Sequence, residues 1–273
     1  MIVLLSPAKS LNEAPLAEQA QHLAGLPHTL PHFVKEPPKL VAAARKLSMK
    51  KLAALMHISD DLAKLNVSRF KAWQPPSTPK NTPRNAKQAM LMFDGDVYTG
   101  LNAATLDAAD IDWAQEHLCI LSGLYGVLRP LDLMQPYRLE MGSALATKTG
   151  KTSGKNLYAF WGESITDYLN DRQKHRQPLE DSIYLNLASQ EYFKAVNINK
   201  LHARVIECVF EDFSNGQYKV VGFFAKLARG MMARYVMTHR ILNPVKLTQF
   251  AEAGYAFEAK LSSENRLVFR RRV

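Results

Sequence analysis

The sequence predicts a mixed α/β fold with helices flanking the strands, and three observations predict it. Short apolar runs of strand length stand at residues 2–5, 118–121 and 182–189, each closing on Ser, Gly, Asn or Pro, the residues that punctuate buried strands. Stretches with apolar residues at helical spacing separate them, at 40–73, 103–117 and 157–169. A strand at 204–213, the turn Asn215-Gly216 and a partner at 217–224 read as a hairpin,. At 273 residues the chain forms one large domain or two modest ones.

Taken in order, residues 2–5 enter the loop Ser6-Pro7-Ala8-Lys9-Ser10. The start lacks a basic region and its apolar run is too short for a leader, so it reads as a first strand. Residues 12–38 are rich in Pro, His and Ala. His22, His28 and His32 are spaced around prolines and present no rigid metal-binding face,. Leu40, Val41, Ala44 and Leu47 then recur at helical spacing, and Ser48 caps a second helix,. Residues 48–73 read as helix, short turn and helix, with Leu52, Leu55 and Met56 inward in the first and Leu62, Leu65 and Phe70 inward in the second. Ser59 or Asp60 is the cap between them.

Gln74 to Arg84 is a Pro/Ser/Thr linker,. Asp94-Gly95-Asp96 reads as a turn, residues 97–100 as a short strand or turn, and 103–117 as a helix that pauses at Asp110. Gly150-Lys151-Thr152 imitates the end of a phosphate-binding loop, but Leu145 stands where that motif needs glycine,. Residues 157–169 form an amphipathic helix. Residues 182–189 form a strand that passes into a helix at 190–196. Residues 225–236 form a helix carrying Lys226, Arg229 and Arg234, and a final strand lies at 267–269,.

Composition narrows the function classes. There are 35 Lys and Arg against 25 Asp and Glu, a net charge of +10, which favours nucleic acid or another polyanion as partner. The excess is segregated: residues 62–93 and 213–251 contain no acid. No run of 18 apolar residues offers a membrane span. Cys119 and Cys208 sit inside apolar runs without CxxC spacing, so neither a disulfide framework nor a metal site is expected, and a cytoplasmic location is. No cofactor is expected.

Chemistry-bearing residues concentrate at 118–142, LCILSGLYGVLRPLDLMQPYRLEMG. A buried strand ends in a glycine turn, then in a loop carrying Arg129, Tyr137, Arg138 and Glu140, as when a scaffold presents polar groups at a strand's end. The junction with Asn186, Ser189, Glu191 and Tyr192 is a second candidate wall. Lys9 is either an anion holder or a surface lysine. Residues 50–73 resemble a helix-hairpin-helix, a DNA-binding element whose turn amides meet phosphates. Its usual glycines are absent, with His57 and Ser59 near their places, so an ordinary αα-hairpin is the alternative.

Ser6-Pro7-Ala8-Lys9, Ile58-Ser59-Asp60, Gly95-Asp96-Val97-Tyr98, residues 121–142, Phe160-Trp161-Gly162, residues 186–189, Glu191-Tyr192-Phe193 and Phe224 to Lys226 with Ala228-Arg229-Gly230 together resemble the YaaA family. These are bacterial cytoplasmic proteins linked to peroxide stress resistance, and the resemblance covers nearly the whole chain. It implies a single compact α/β domain of unusual topology with a basic cleft, and double-stranded or distorted DNA as ligand. It also implies a role in limiting damage when peroxide meets free iron, and a helix-hairpin-helix at about 48–73.

Two functions are weighed. In the first, a DNA-binding protein, phosphates are contacted by Lys9, Lys50, Lys51, Ser59, Lys64, Arg69, Lys71, Arg129, Arg138, Asn186, Ser189, Lys226, Arg229 and Arg234. In the second, an enzyme acts on a nucleoside, nucleotide or damaged nucleic acid. Lys9, Arg129 and Arg138 hold an anion, Tyr137 or Tyr192 stacks or donates, and Glu140 or Glu191 serves as acid or base. For Glu140 a structural ion pair with an arginine is the alternative. The sequence does not set the oligomeric state.

Overall fold

The four residues after Met1 are all apolar, and Ile2–Leu5 (β1) forms the strand at the centre of the fold. The computed structural model of the chain describes residues 1–16, 18–75, 84–147, 154–174 and 182–272; the Gly150-Lys151-Thr152 motif lies outside them. After β1 come β2 (Ser10–Leu11), α1 (Pro37–Arg45), α2 (Met49–Met56) and α3 (Asp60–Ala72). Next are β3 (Lys87–Gln88), α4 (Ala89–Met92), β4 (Phe93–Asp94), α5 (Asp96–Leu101) and α6 (Ala108–His117). Strands β5 (Leu118–Ser122), β6 (Gly126–Leu128) and β7 (Leu133–Met134) precede α7 (Leu157–Trp161) and α8 (Ser164–Lys174). The last third holds β8 (Ile183–Asn186), α9 (Gln190–Phe193), β9 (Arg204–Ser214), β10 (Gln217–Lys219), α10 (Gly222–Thr238), β11 (Ala256–Phe257) and β12 (Arg266–Arg271).

These strands build an eight-stranded mixed sheet in the order β11-β12-β9-β8-β1-β5-β6, with β10 on β9. The five inner strands, β12 to β5, are parallel, and the antiparallel pairs stand at the margins. Parallel strands with both faces covered read as unbroken apolar runs. Ile2, Val3, Leu4 and Leu5 are each no more than 1% exposed, contributing roughly 2 kcal/mol apiece by burial. The mixed α/β expectation holds.

Helix starts follow the polar residues that cap them. Ser48 accepts from the Lys51 amide, Asp107 from Asp110 and Asn156 from Ala159, each satisfying a donor that the first turn leaves open. Several local readings change. Residues 97–100 are helical, in α5, because Gly95 starts a turn that Asp96 continues. The 157–169 helix is two, broken at Gly162. The partner of β9 stops at Lys219, and Phe223 and Phe224 already belong to α10. On α3 the buried face is Ala63, Asn66 and Phe70, so Leu62 and Leu65 point to solvent. Small Ala63 lets α2 and α3 approach, and the larger leucines on the next stripe are left outside.

Helices α2 and α3 form an αα-hairpin whose turn carries no glycine. His57 takes a left-handed conformation at φ 51°, and Ser59 spends its hydroxyl accepting from the Leu62 amide. Asp60 and Asp61 already put negative charge on the first turn of α3, the favoured place for anions. The hairpin is fastened by its far end instead. Arg45 donates to the carbonyls of Phe70 and Trp73 at 2.8 and 2.6 Å, and Trp73 Nε1 donates to the buried Tyr125 hydroxyl at 2.9 Å.

Helix α10 crosses α5 at a contact made by glycine. A Cβ on Gly230 would lie 1.9 Å from the Val97 carbonyl oxygen, and one on Gly100 would lie 2.1 Å from that of Leu227. Backbone meets backbone there, so neither helix can yield by turning a side chain. Gly230→Ala should therefore destabilise the protein by about 2–3 kcal/mol, read as a shift in the urea midpoint. Gly222→Ala, at the open start of the same helix with no atom within 4 Å of the added carbon, should change stability by less than about 1 kcal/mol.

Candidate functional site

Strands β5, β1 and β8 lie side by side and parallel, so their carboxyl ends emerge together. From β1 the chain first moves to β5 on one side, then to β8, β9 and β12 on the other. That reversal leaves a crevice above β1, where open α/β sheets bind ligands. Three loops meet there, at 6–10, 123–142 and 187–192, and cross-links tie each to the next. Ser6 Oγ accepts from the Ser189 amide at 2.8 Å. Lys9 Nζ lies 3.8 Å from Glu140 Oε1. The Gly142 amide donates to Glu191 Oε1 at 2.9 Å. The Ser6 carbonyl also accepts from the Tyr98 hydroxyl at 3.0 Å, which joins α5 to the same loop.

The 123–142 loop folds back over its own strand. A Cβ on Gly123 would stand 2.2 Å from the Leu139 carbonyl oxygen, so only glycine permits that approach. The Tyr137 hydroxyl and Ser122 Oγ share a 2.6 Å hydrogen bond. Arg138 Nε donates to Glu140 Oε1 at 3.1 Å, and both side chains are about six-sevenths buried, at 15% and 14% exposure. Burial pushes the Tyr137 hydroxyl well above the ordinary tyrosine range. It does the same to Tyr192, reinforced by Tyr137, Glu191 and Glu140 and opposed by the Met141 backbone amide. Both tyrosines are therefore hydrogen-bonding groups rather than bases at neutral pH.

Two cavities share this crevice, of about 440 and 410 Å³. One is walled by Arg138, Glu140 and Gly142 to Ala144 and, across from them, by Ala54 to His57 at the end of α2. The other is walled by Ser6 to Ser10, Asp94 to Val97, Ser189, Tyr192, Lys226 and Arg229. Lys9 and Glu191 border both. The lining is not one-sidedly basic: Lys9, Arg138, Lys226 and Arg229 stand against Asp94, Asp96, Glu140 and Glu191. Lys226 lies 3.5 Å from Asp96. Burial lowers the Arg229 guanidinium from its ordinary value, partly offset by Cys208 and Glu207.

Of the residues singled out from sequence, the crevice thus gathers Lys9, Tyr137, Arg138, Glu140, Ser189, Glu191, Tyr192, Lys226 and Arg229 from four distant segments. Others are engaged elsewhere. Arg129 holds the buried Asp132 through Nε and its amide, at 3.3 and 2.8 Å. Arg234 donates to the Leu101 and Asn102 carbonyls at 3.2 and 3.0 Å, closing the end of α5. Asn186 is buried and accepts from the Ala188 amide at 3.0 Å. Arg69 pairs with Glu13, and Ser59 caps α3. Lys50, Lys51, Lys64 and Lys71 are exposed on the α2–α3 hairpin. Sequence reasoning passed over His57 as a wall and read Asp94-Gly95-Asp96 only as a turn. The Asp96–Lys226 pair spans distant segments, and no local pattern marks it. Among the described residues no three His, Cys, Asp or Glu side chains group as a metal site, and no helix is long and apolar enough to cross a membrane.

Comparison with known proteins gives a consistent match. Over residues 1–261 the chain fits the family described as peroxide stress protein YaaA. It is 54% identical over 273 residues to a UPF0246 protein of Verminephrobacter eiseniae (strain EF01-2), covering 100% of this chain and 98% of that one. A UPF0246 protein of Bordetella petrii is 52% identical over 273 residues, with 100% of both chains covered. One of Ralstonia pickettii (strain 12J) is 51% identical over 274 residues, again with 100% of both covered.

The two arginines of α10 should separate experimentally. Arg234→Gln removes two charged donors from helix-end carbonyls and should lower stability by about 1–2 kcal/mol, read by chemical denaturation. Arg229→Gln removes a desolvated cation that borders the crevice and should leave the unfolding free energy within about 1 kcal/mol of wild type.

Proposed function

Because the chain belongs to the peroxide stress protein YaaA family, we propose that it is a DNA-binding protein of the peroxide stress response. In this reading it binds double-stranded or distorted DNA without sequence preference, and limits the damage done when peroxide meets free iron. The observation that carries the reading is a lysine-bearing helix face that runs into the crevice. On α2, Lys50 and Ala54 stand at i and i+4 and so share one side, His57 ends the helix, and Ala54 and His57 are crevice wall. Lys51 stands in the same relation to Leu55, another wall residue.

Charge supports the same surface. Residues 35–73 carry nine Lys and Arg against three acids, and Lys50, Lys51, Lys64 and Lys71 are all exposed. The crevice lining, by contrast, is charge-balanced, so tracking of the duplex backbone falls to the hairpin. In this arrangement the hairpin works by point charges on its lysines, which neutralise phosphates without reading bases.

The test is affinity for a duplex and for the same duplex with a central bulge, measured across salt. Affinity should fall with a log–log slope of about −0.9 per phosphate contacted, so three to five contacts give roughly −3 to −5. The paired substitution Lys50→Glu with Lys51→Glu should weaken every sequence alike, by about tenfold or more at low salt. A salt-independent affinity, or an unchanged one in the paired variant, would overturn the reading.

A further inference from the structure

A surface that only tracks a phosphate backbone is one-sidedly basic, and the crevice floor is not. Its two ends also differ in chemistry. At one end Lys226, paired with Asp96, and Arg229 stand beside the loop after β1. At the other, Arg138 Nε donates to Glu140 Oε1, while Glu140 Oε2 is closed off from solvent and has no hydrogen-bond partner among the described residues. A buried carboxylate oxygen without a donor is costly to keep in a stable fold. Here it belongs to a residue that borders the cavity of about 440 Å³ and a small void beside Tyr137 and Tyr192.

That oxygen comes to face the cavity that Glu140 borders when the carboxylate turns about its last torsion, and an N–H or O–H group of a ligand there would satisfy it. The neighbouring guanidinium is a donor in every direction, so Glu140 and Arg138 together set an acceptor beside donors. That is the complement of a nucleobase edge, where a donor and an acceptor adjoin, and carboxylates and guanidinium groups are the partners such edges take. Lys9 borders both cavities, so the two adjoin at this lysine, with Lys226 and Arg229 on one side of it and Glu140 on the other. Each cavity is within the size range of small-ligand sites.

We propose that the crevice is a nucleotide site that takes one unpaired nucleotide, its phosphate on Lys226 and Arg229 and its base edge on Glu140 and Arg138. The proposal rests on the DNA-binding reading only for delivery: a nucleotide turned out of a distorted duplex held on the hairpin lysines would enter the crevice. The pocket itself is open to free nucleotides. A glycine at 142, whose amide is already engaged by Glu191, keeps the wall beside Glu140 low.

The experiment is calorimetric titration of the full chain with AMP, CMP, GMP and UMP, and with ribose 5-phosphate as a baseless control. At least one monophosphate should bind tenfold or more tighter than ribose 5-phosphate. Glu140→Gln, which keeps the side chain's shape, should erase that advantage and leave ribose 5-phosphate affinity unchanged, whereas Arg229→Gln should weaken both. Equal affinity for ribose 5-phosphate and all four monophosphates in the wild-type protein would overturn the proposal without reference to any variant. So would an undiminished advantage in a folded Glu140→Gln protein. Salt-dependent duplex binding without nucleotide preference overturns the pocket and leaves the DNA reading standing, and the opposite pair of results does the reverse.

Discussion

Three parallel strands that end side by side create a need the rest of the structure answers. The loops leaving β1, β5 and β8 carry backbone donors and acceptors away from the sheet's own ladder, and those groups need partners. They find them in one another. Ser6 and Ser189 join the first loop to the third, Gly142 and Glu191 join the second to the third, and Lys9 and Glu140 bring the first to the second. The result is a ring of loops with a crevice inside it. Polar side chains there are oriented by contacts they already hold, which is the preorganisation that a binding site needs.

Two further attachments bring charge to that ring. The crossing of α10 on α5 is close because both helices have glycine at the contact, and it lowers Lys226 and Arg229 onto the loop after β1. The α2–α3 hairpin is held at its far end, where Trp73 meets Tyr125 and Gln135 bonds the backbone of Gln74 at 3.0 Å. Its near end is then free to stand across the crevice from Glu140 as a wall. Cations on these two elements therefore have different surroundings. The hairpin lysines are in water and act at a distance limited by screening, whereas Arg229 and Arg138 are largely withdrawn from it and act on what touches them.

This division explains why net charge and site chemistry tell different stories. An overall charge of +10 describes how the molecule meets a polyanion, and most of it lies outside the crevice. Within the crevice the balance of four cations and four carboxylates makes hydrogen-bonding pattern, more than attraction, the selecting feature. Arg129 and Arg234 show how misleading a cation can be when read without its neighbours. Both stand near the crevice in sequence, and both are committed to carbonyls or a carboxylate inside the fold.

By itself, the sequence determined strands at 2–5, at 118–121 and within 182–189, the cap at Ser48 and one at Ser59 or Asp60, and the family to which the chain belongs. Those signals are local: an apolar run bounded by turn residues, a hydroxyl before a helical pattern, motifs in a fixed order. It also marked Lys9, Arg138, Glu140, Glu191 and Tyr192 as polar groups at strand ends. Tertiary structure alone decided which of them face one another, because β8 reaches the side of β1 only after the chain has passed through β5. It alone turned Leu62 and Leu65 outward, made 97–100 helical, and left Glu140 Oε2 without a donor among the described residues. Periodicity counts residues along one helix or strand; burial and pairing depend on what a distant segment brings against it.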